Sequence, residues 1–460
     1  MGGADLVDNE LDRLPRGQCV VGTEAAHLAN EGLRGAQRPG RGRCELSHQR
    51  RDPCVERALV GQHLVDEADL PRPRIIGAKR AQPYQPRRFA NISGMSYGAL
   101  SPNAVRALSR GAKMAGCYMS TGEGSLSPYH IEGNCDILYQ IGPAKFGCRT
   151  PDGRFDDEKA AAILALPQVK MVEIKLSQGA KPGKGGMLPK EKITKEIAAI
   201  RGIPMGVDCH SPNRFEEFDD APSLLDFIER VRKLTGKPIG LKMVVGSTAE
   251  IDELCREIRK RGDGPDFIAV DGNEGGSGAA PLALADYVGL PLVDALIAVD
   301  SALRREGLRD DVTLIASGKI ARGGEVATHI GLGADLVHIA RGFLFSIGCI
   351  QAMRCHTNTC PTGVTTQNRW LQSGLDPTDK GVRVRNYALA LERDLQMITH
   401  ACGLTHPSQL HRGHVVMNIS PGVRKSFVEL FPYPPSQLGL AKTTAARNER
   451  ESPVAVSAAS

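Results

Sequence analysis

The chain has 460 residues, of which 41% are hydrophobic, with 51 glycines and a formal net charge of +6. A charge this small, without a lysine-rich block, argues against nucleic-acid binding, and no apolar run reaches the roughly 18 residues of a membrane span. Twelve cysteines are too sparse for a secreted disulfide scaffold, and the first residues lack a basic start followed by an apolar stretch, so a cytoplasmic, reducing location is expected.

The N-terminal part differs from the middle. Residues 1–83 contain no Phe, Trp or Tyr, and residues 1–60 carry nine arginines and no lysine. So little apolar surface cannot offset the entropy of ordering. The expected organisation is a flexible Arg-rich arm over 1–45, a lead-in segment over 46–87, a main domain over 88–415 and a C-terminal segment and tail over 416–460. The glycosylation sequon at Asn91 falls inside an expected buried strand and carries no meaning there.

From Phe89 onward short apolar runs alternate with amphipathic stretches. The expected strands are Phe89–Ser93, Cys117–Ser120, Leu138–Ile141, Met171–Leu176, Met205–Asp208, Ile239–Val244, Phe267–Val270, Leu314–Ala316 and Leu336–Ile339. Between them SPNAVRALSRGAKMAG, APSLLDFIERVRKLTG and GEVATHIGLGAD show helical periodicity, often opened by Ser or Asp and closed by Gly. Strand–helix alternation implies a parallel sheet, and Gly-rich segments after the strands favour a (β/α)8 barrel with its site at the strand C-terminal ends. A doubly wound dinucleotide fold is disfavoured, since no G-x-G-x-x-G follows the first strand.

Several motifs at those strand ends can carry chemistry. Glu123, in TGEGSLSP, has bare backbone on both sides and can approach a ligand to transfer protons; otherwise it is a turn residue. The segment IKLSQGAKPGKGGMLP is too rich in Gly and Lys for core. With Lys181 and Lys184 it reads as a loop for a dicarboxylate, or as a solvated basic loop. Arg201 ends a helical stretch and either binds a carboxylate bidentately or caps its helix. Lys242 lies within the apolar run IGLKMVV and requires a negative partner: a flavin's pyrimidine edge, or a buried carboxylate such as Asp271. Asp271 and Glu274, in VDGNEGGSG, end another strand, and Gly275 and Gly276 let a flat ring approach. Ser317-Gly318-Lys319 and Ala340-Arg341-Gly342 end the last two strands, where barrels often hold a phosphate such as that of FMN; otherwise they are ordinary tight turns.

Cys349, Cys355 and Cys360 follow in CIQAMRCHTNTCPTG. Three close thiolates suit an iron–sulfur cluster, suffice for one with three irons, and make a poor zinc site without a fourth ligand; three buried core thiols are the plain alternative.

The runs ISGMSYGALS, TGEGSLSP, KLSQGAKPGKGGMLP, DGNEGGSGAAP, ASGK and GCIQAMRCHTNTCPTGVTTQ resemble the flavin-binding synthase domain of glutamate synthase, over roughly 88–370 and more weakly to about 415. The likeness is strongest to stand-alone FMN-binding glutamate synthase-like proteins. The resemblance implies a (β/α)8 barrel holding FMN and a 3Fe-4S cluster on Cys349, Cys355 and Cys360, in the loop 349–360. It places Met95, Ser96, Tyr97 and Gly98 along the flavin, Gln140 and Lys242 at its ring, and Ser317, Gly318, Lys319, Arg341 and Gly342 at its phosphate. Glu123, Lys181 and Arg201 then surround 2-oxoglutarate. Where the family has a glutamine, Met187 stands here, which removes a polar substrate contact. The leading residues are too few for the family's glutaminase domain, and those after the cluster are too few for its β-helix.

The expected function is reductive amination of 2-oxoglutarate to glutamate, with hydride from reduced FMN to 2-iminoglutarate. Nitrogen comes as ammonia or from a separate glutaminase subunit, and electrons from a ferredoxin or an NADPH-oxidising subunit. The alternatives are a flavoenzyme acting on an amine or an N-methylated glutamate derivative, a non-catalytic electron-transfer subunit, and a zinc-stabilised binding module.

Overall fold

The structure, a computed structural model, describes residues 70–435 apart from 277, 278 and 282, together with the backbone strand Cys19–Val21. The expected Arg-rich arm, that one strand excepted, and residues 436–460 of the expected C-terminal segment and tail lie outside the described residues.

Eight strands close a parallel barrel: β1 (Ala90–Ile92), β2 (Tyr118–Ser120), β3 (Asp136–Ile141), β4 (Val169–Lys175), β5 (Ile239–Met243), β6 (Phe267–Asp271), β7 (Thr313–Ser317) and β8 (Leu336–Ile339). They pair in chain order, and β8 returns to β1 through Val337 opposite Ala90. Almost every strand residue is buried, as expected where helices cover one face of a parallel sheet and side chains fill the other. Gly240 shows how tightly the interior is filled. A Cβ there would lie 2.3 Å from the Phe267 ring on the neighbouring strand.

The N-terminal end of the barrel is plugged. Ile76 and Tyr84 exchange backbone hydrogen bonds of 2.8 and 3.1 Å and pack with Tyr118, Leu138, Met171, Phe267, Ile315 and Leu336. Tyr84 Oη donates to Asp136 at the start of β3 at 3.0 Å, and Arg80 Nε donates to Asp266, just before β6, at 2.6 Å. With that end closed, the strand C-terminal ends form the barrel's other mouth.

The helices around the barrel are α1 (Pro102–Ala115), α2 (Pro128–Glu132), α3 (Asp157–Leu164), α4 (Lys195–Arg201), α5 (Ala221–Lys233), α6 (Thr248–Arg261), α7 (Leu292–Arg305), α8 (Gly323–Gly331), α9 (Arg341–Ser346), α10 (Arg369–Gln372), α11 (Pro377–Ala401) and α12 (Phe427–Leu430). The helix expected at SPNAVRALSRGAKMAG is α1. Ser101 caps its start by accepting from the Ala104 amide, and Gly116, at φ +78°, closes it in the left-handed conformation. The 25-residue α11 lies across α1, and a Cβ on Gly111 would fall 2.4 Å from Val384 Cβ. Glu392 of α11 accepts from the Ala90 amide of β1 at 3.0 Å. No helix among the described residues is long and apolar enough to cross a membrane.

One expected strand is absent. Met205–Asp208 is a bend in which Met205 and Val207 are 56% and 52% exposed and Gly206 has φ +81°. Its β-branched and apolar residues face solvent rather than a sheet. Only the next two residues pair, in a two-stranded ribbon of Met187–Leu188 with Cys209–His210. At the C-terminal side Val415–Ser420 and Val423–Ser426 form an antiparallel hairpin, and Cys19–Val21 pairs with Val415–Met417.

Candidate active site

The glycine-rich turns fold onto one another across the mouth. After β1 the chain passes through Met95-Ser96-Tyr97-Gly98, and the turn after β2 lies flat against it. A Cβ on Gly122, which has φ +64°, would sit 2.6 Å from the Ser96 amide nitrogen. On the opposite side Gly275 and Gly318 approach until a Cβ on Gly275 would lie 3.3 Å from Gly318 Cα. The loop after β4 packs on this second group: a Cβ on Gly179 would overlap the Gly272 carbonyl at 1.8 Å, and one on Gly276 would meet Ala180 Cβ at 1.9 Å. Ser317 is buried. Lys319, at φ +46°, pairs with Asp286 at 3.0 Å, and Arg341 Nη2 donates to the Gly276 carbonyl at 2.9 Å. Gly342 has no room for a side chain beside Tyr387 Oη, 2.1 Å from a Cβ there. Bare backbone with two cations at its edge is a cradle suited to a flat ring ending in a phosphate.

Between the two groups of turns lies a charged cluster. Glu123 Oε2 meets Lys175 Nζ at 3.2 Å, and the same ammonium donates to Gln178 at 2.6 Å. Burial alone would raise the Glu123 carboxyl. Lys175, Lys181 and Arg201 outweigh it and hold the group below the ordinary carboxylate range. Burial pulls the Lys181 ammonium down, against the attraction of Glu123. Arg201 is 4% exposed, donates from Nη2 to the Tyr97 carbonyl at 2.8 Å and lies 5.0 Å over the Phe146 ring. Burial lowers its basicity, while Cys209 and Glu123 oppose that, and its Nε has no partner. Gly202, not Arg201, closes α4, by donating to the Ala198 and Ala199 carbonyls. Met187 lies on the ribbon edge, 47% exposed and paired in register with His210, next to Gly186, where a Cβ would fall 2.6 Å from Glu123 Oε1.

Beneath the cluster the barrel holds a buried polar layer. Gln140 and Glu173 face each other across β3 and β4, and the Gln140 amide donates a short hydrogen bond to Glu173. Burial raises the Glu173 carboxyl against the pull of Lys242 and Gln140, and its second oxygen is unpaired. Lys242 lies 3.7 Å from Asp271, whose Oδ2 also accepts from the Gly179 amide at 2.8 Å. The carboxylate partner considered for Lys242 is therefore present. Below them Tyr118 Oη and His338 Nε2 are 2.7 Å apart, and burial, aided by Lys242, lowers His338 to about 3.

The cysteine loop lies beside the first group of turns. Gln351, Met353 and Asn358 all adopt positive φ, 56°, 54° and 60°, a local concentration of strain of the kind that marks functional loops. Cys349 feels both Cys355 and Cys360 electrostatically, so the three thiols are neighbours. They do not form a closed ligand set as they stand, since among the described residues no group of three His, Cys, Asp or Glu is arranged to hold a metal ion. Burial works to raise the Cys360 thiol, but hydrogen bonds from Thr365 and Thr362 bring it down to about 7. Burial raises the Cys349 thiol instead; thiols as a class are the soft donors an iron–sulfur cluster takes.

The structure thus gathers Glu123, Lys181 and Arg201 between Met95–Gly98 on one side and Asp271, Gly275, Gly276, Ser317, Gly318, Lys319 and Arg341 on the other. Sequence reasoning passed over Glu173, Lys175 and Lys192. The first two were visible as charges at alternate positions in the apolar run MVEIKL. Nothing in KEK distinguishes Lys192, yet it is 1% exposed.

A closed (β/α)8 barrel with a charged site at the strand C-terminal ends defines the class. Residues 53–405 match the family described as the conserved region in glutamate synthase, and the chain belongs to that family. It is 44% identical over 351 residues to the glutamate synthase large subunit-like protein YerD of Bacillus subtilis, covering 76% of this chain and 67% of that protein. It is 35% identical over 315 residues to the archaeal glutamate synthase (NADPH) of Methanocaldococcus jannaschii, covering 68% of this chain and 58% of that protein. The chain therefore spans about two thirds of the first relative and less of the second. Among solved structures, a mutant flavocytochrome b2 with pyruvate bound aligns with a TM-score of 0.48 at 16% identity, over 87% of this chain and 82% of that one.

Proposed function

We propose that this chain is an FMN-dependent oxidoreductase that forms glutamate by reductive amination of 2-oxoglutarate. Bound FMN would supply the hydride that reduces the imine carbon of 2-iminoglutarate. The observation that carries the reading is the convergence of Glu123, Lys175, Lys181 and Arg201 next to two sets of glycine-rich turns. Ser317, Gly318, Lys319, Arg341 and Gly342 would hold the phosphate. Met95, Ser96, Tyr97, Gly98, Gly275 and Gly276 would border the ring, with Gln140, Lys242 and Asp271 at its polar edge. Lys242 would balance negative charge there. Arg201, with donors to spare, and Lys181 would fix the two carboxylates of the substrate. Glu123, held ionised by its cationic neighbours, would accept and return a proton at the substrate nitrogen.

Cys349, Cys355 and Cys360 would hold a 3Fe-4S cluster. The electron donor would be a ferredoxin or an NADPH-oxidising subunit, a choice supported by the NADPH in the name of the archaeal relative. Nitrogen would arrive as ammonia, or from a separate glutaminase subunit.

Arg201→Ala tests the substrate assignment. Loss of a charged hydrogen bond to a carboxylate corresponds to about 2 kcal/mol, or roughly a 30-fold rise in KM for 2-oxoglutarate. An unchanged KM removes Arg201 from the site. A second reading rests on Met187, whose exposed thioether offers a substrate no hydrogen bond. An amine or an N-methylated glutamate derivative would then be the substrate, and turnover with alkylamines but not with 2-oxoglutarate plus ammonia would select it.

A further inference from the structure

Three consecutive carbonyls after Met95-Ser96-Tyr97 are each met by a side chain from outside their own segment. Lys192 Nζ donates to the Ala99 carbonyl at 2.8 Å, and Gln367 Nε2 donates to those of Gly98 and Leu100 at 3.1 and 2.8 Å. The same Lys192 ammonium donates to the carbonyls of Cys355 and Thr365, both at 2.9 Å. Its three N–H groups are thereby used in full on three separate segments. Lys145, Lys175 and Lys242 meet carboxylates inside the fold instead. A buried ammonium without an acid is costly unless each N–H is matched, so moving any one segment penalises the other two.

The joint continues on both sides. The Ser101 amide donates to the Val364 carbonyl at 2.9 Å. Asn358 of the cysteine loop donates to the Glu191 carbonyl at 2.9 Å and accepts from the Gln367 amide at 2.7 Å. Toward the site, Tyr97 offers its carbonyl to Arg201, and Ser96 packs on Gly122 beside Glu123.

We propose that Lys192 and Gln367 form a clasp that couples the cysteine loop to the segment Met95–Leu100. A change at the thiols then shifts the edge of the site that carries Tyr97 and Arg201. Lys192 and Gln367 are positioning residues. The inference deepens the proposed function, resting on its assignment of this edge to the cofactor and substrate.

Amide exchange on the full chain tests the clasp. The Gly98 and Leu100 amides, bonded to Leu100 and Ser96 carbonyls, are the reporters. Cys355→Ala should speed their exchange on the order of tenfold, and Lys192→Met should do so by itself. In the double variant Cys355→Ala should add nothing further. Unchanged exchange at these amides in either single variant overturns the coupling, as does full additivity. If Lys192→Met fails to fold, Gln367→Leu carries the same comparison. The midpoint potential of bound flavin gives a reading that a purely structural role would not move. It should differ between wild type and Cys355→Ala, and not between Lys192→Met and the double variant; an equal difference in both backgrounds overturns the coupling. A chain that binds no flavin would refute the proposed function, and the exchange result would still decide the clasp.

Discussion

The ionisation of Glu123 depends on a balance that one residue can tip. Burial favours its neutral form, and Lys175 is its nearest cation, at 3.2 Å, with Lys181 and Arg201 adding to it. In Lys175→Met the burial penalty loses its largest counterweight, so the Glu123 carboxyl should move up. A proton acceptor that must be ionised loses activity as pH falls through its own value. The acid limb of kcat/KM should therefore move to higher pH in Lys175→Met. An acid limb that stays where it is in wild type would show that Glu123 does not handle the proton. The contrast with Glu173 shows why sequence alone could not settle these roles. Both are acids near strand ends, yet burial wins at Glu173 and loses at Glu123, because one has cations on three sides and the other lies deeper, against an amide. Glycine-flanked motifs pointed to the turns, where only bare backbone fits. Glu173 and Lys175 were missed because their identity as site residues comes from Gln140 on β3, Lys242 on β5 and Glu123 in the turn after β2, all distant in sequence.

At the scale of elements, α11 docks on the barrel through an acid that burial makes reluctant to ionise. Glu392 is raised from an ordinary value of 4.5 to about 7, with the Ala90 amide and Arg88 pulling the other way. A carboxyl whose folded value lies above its unfolded one stabilises the fold fully below the unfolded value and loses that contribution as pH rises toward the folded one. Between pH 4.5 and about 7 the contribution of Glu392 should therefore fall, on the order of 3 kcal/mol in all. Glu392→Gln keeps an oxygen for the Ala90 amide and removes the titration. Denaturant unfolding at a series of pH values should show the variant more stable than wild type above pH 7 and the two converging near pH 4.5; parallel curves would rule this out. The element itself escaped sequence reading, although the strands around it did not. Eight of nine expected strands were found because buried parallel strands are continuous apolar runs. The ninth, Met205–Asp208, carries two apolar residues but is broken by Gly206 at φ +81°, and pairing begins only at Cys209. The α11 sequence mixes charges along its solvent side, and its partner α1 is more than two hundred residues earlier, so its apolar stripe has meaning only once the barrel has closed.

For the molecule as a whole, the two ends of the barrel are built differently. The N-terminal end is filled by the Ile76–Tyr84 plug, and ion pairs of Arg80 and Arg232 with Asp263 and Asp266 brace it. The C-terminal end is lined by glycines whose missing side chains leave backbone turns stacked on one another, with Lys319 and Arg341 at the edge. Such turns gain little from packing alone, and an occupant that binds only the folded chain adds its binding free energy to stability. At one hundred times its dissociation constant that gain is about 2.7 kcal/mol, enough to raise the unfolding midpoint by several degrees. FMN added to flavin-free chain should therefore raise the midpoint in proportion to the logarithm of its concentration. Riboflavin, which has the same ring without the phosphate, should raise it less, because the turns at Ser317–Lys319 and Arg341–Gly342 would then have no anion to hold. Equal shifts with both compounds would place the phosphate elsewhere, and a midpoint indifferent to both would mean that this mouth is not a flavin site.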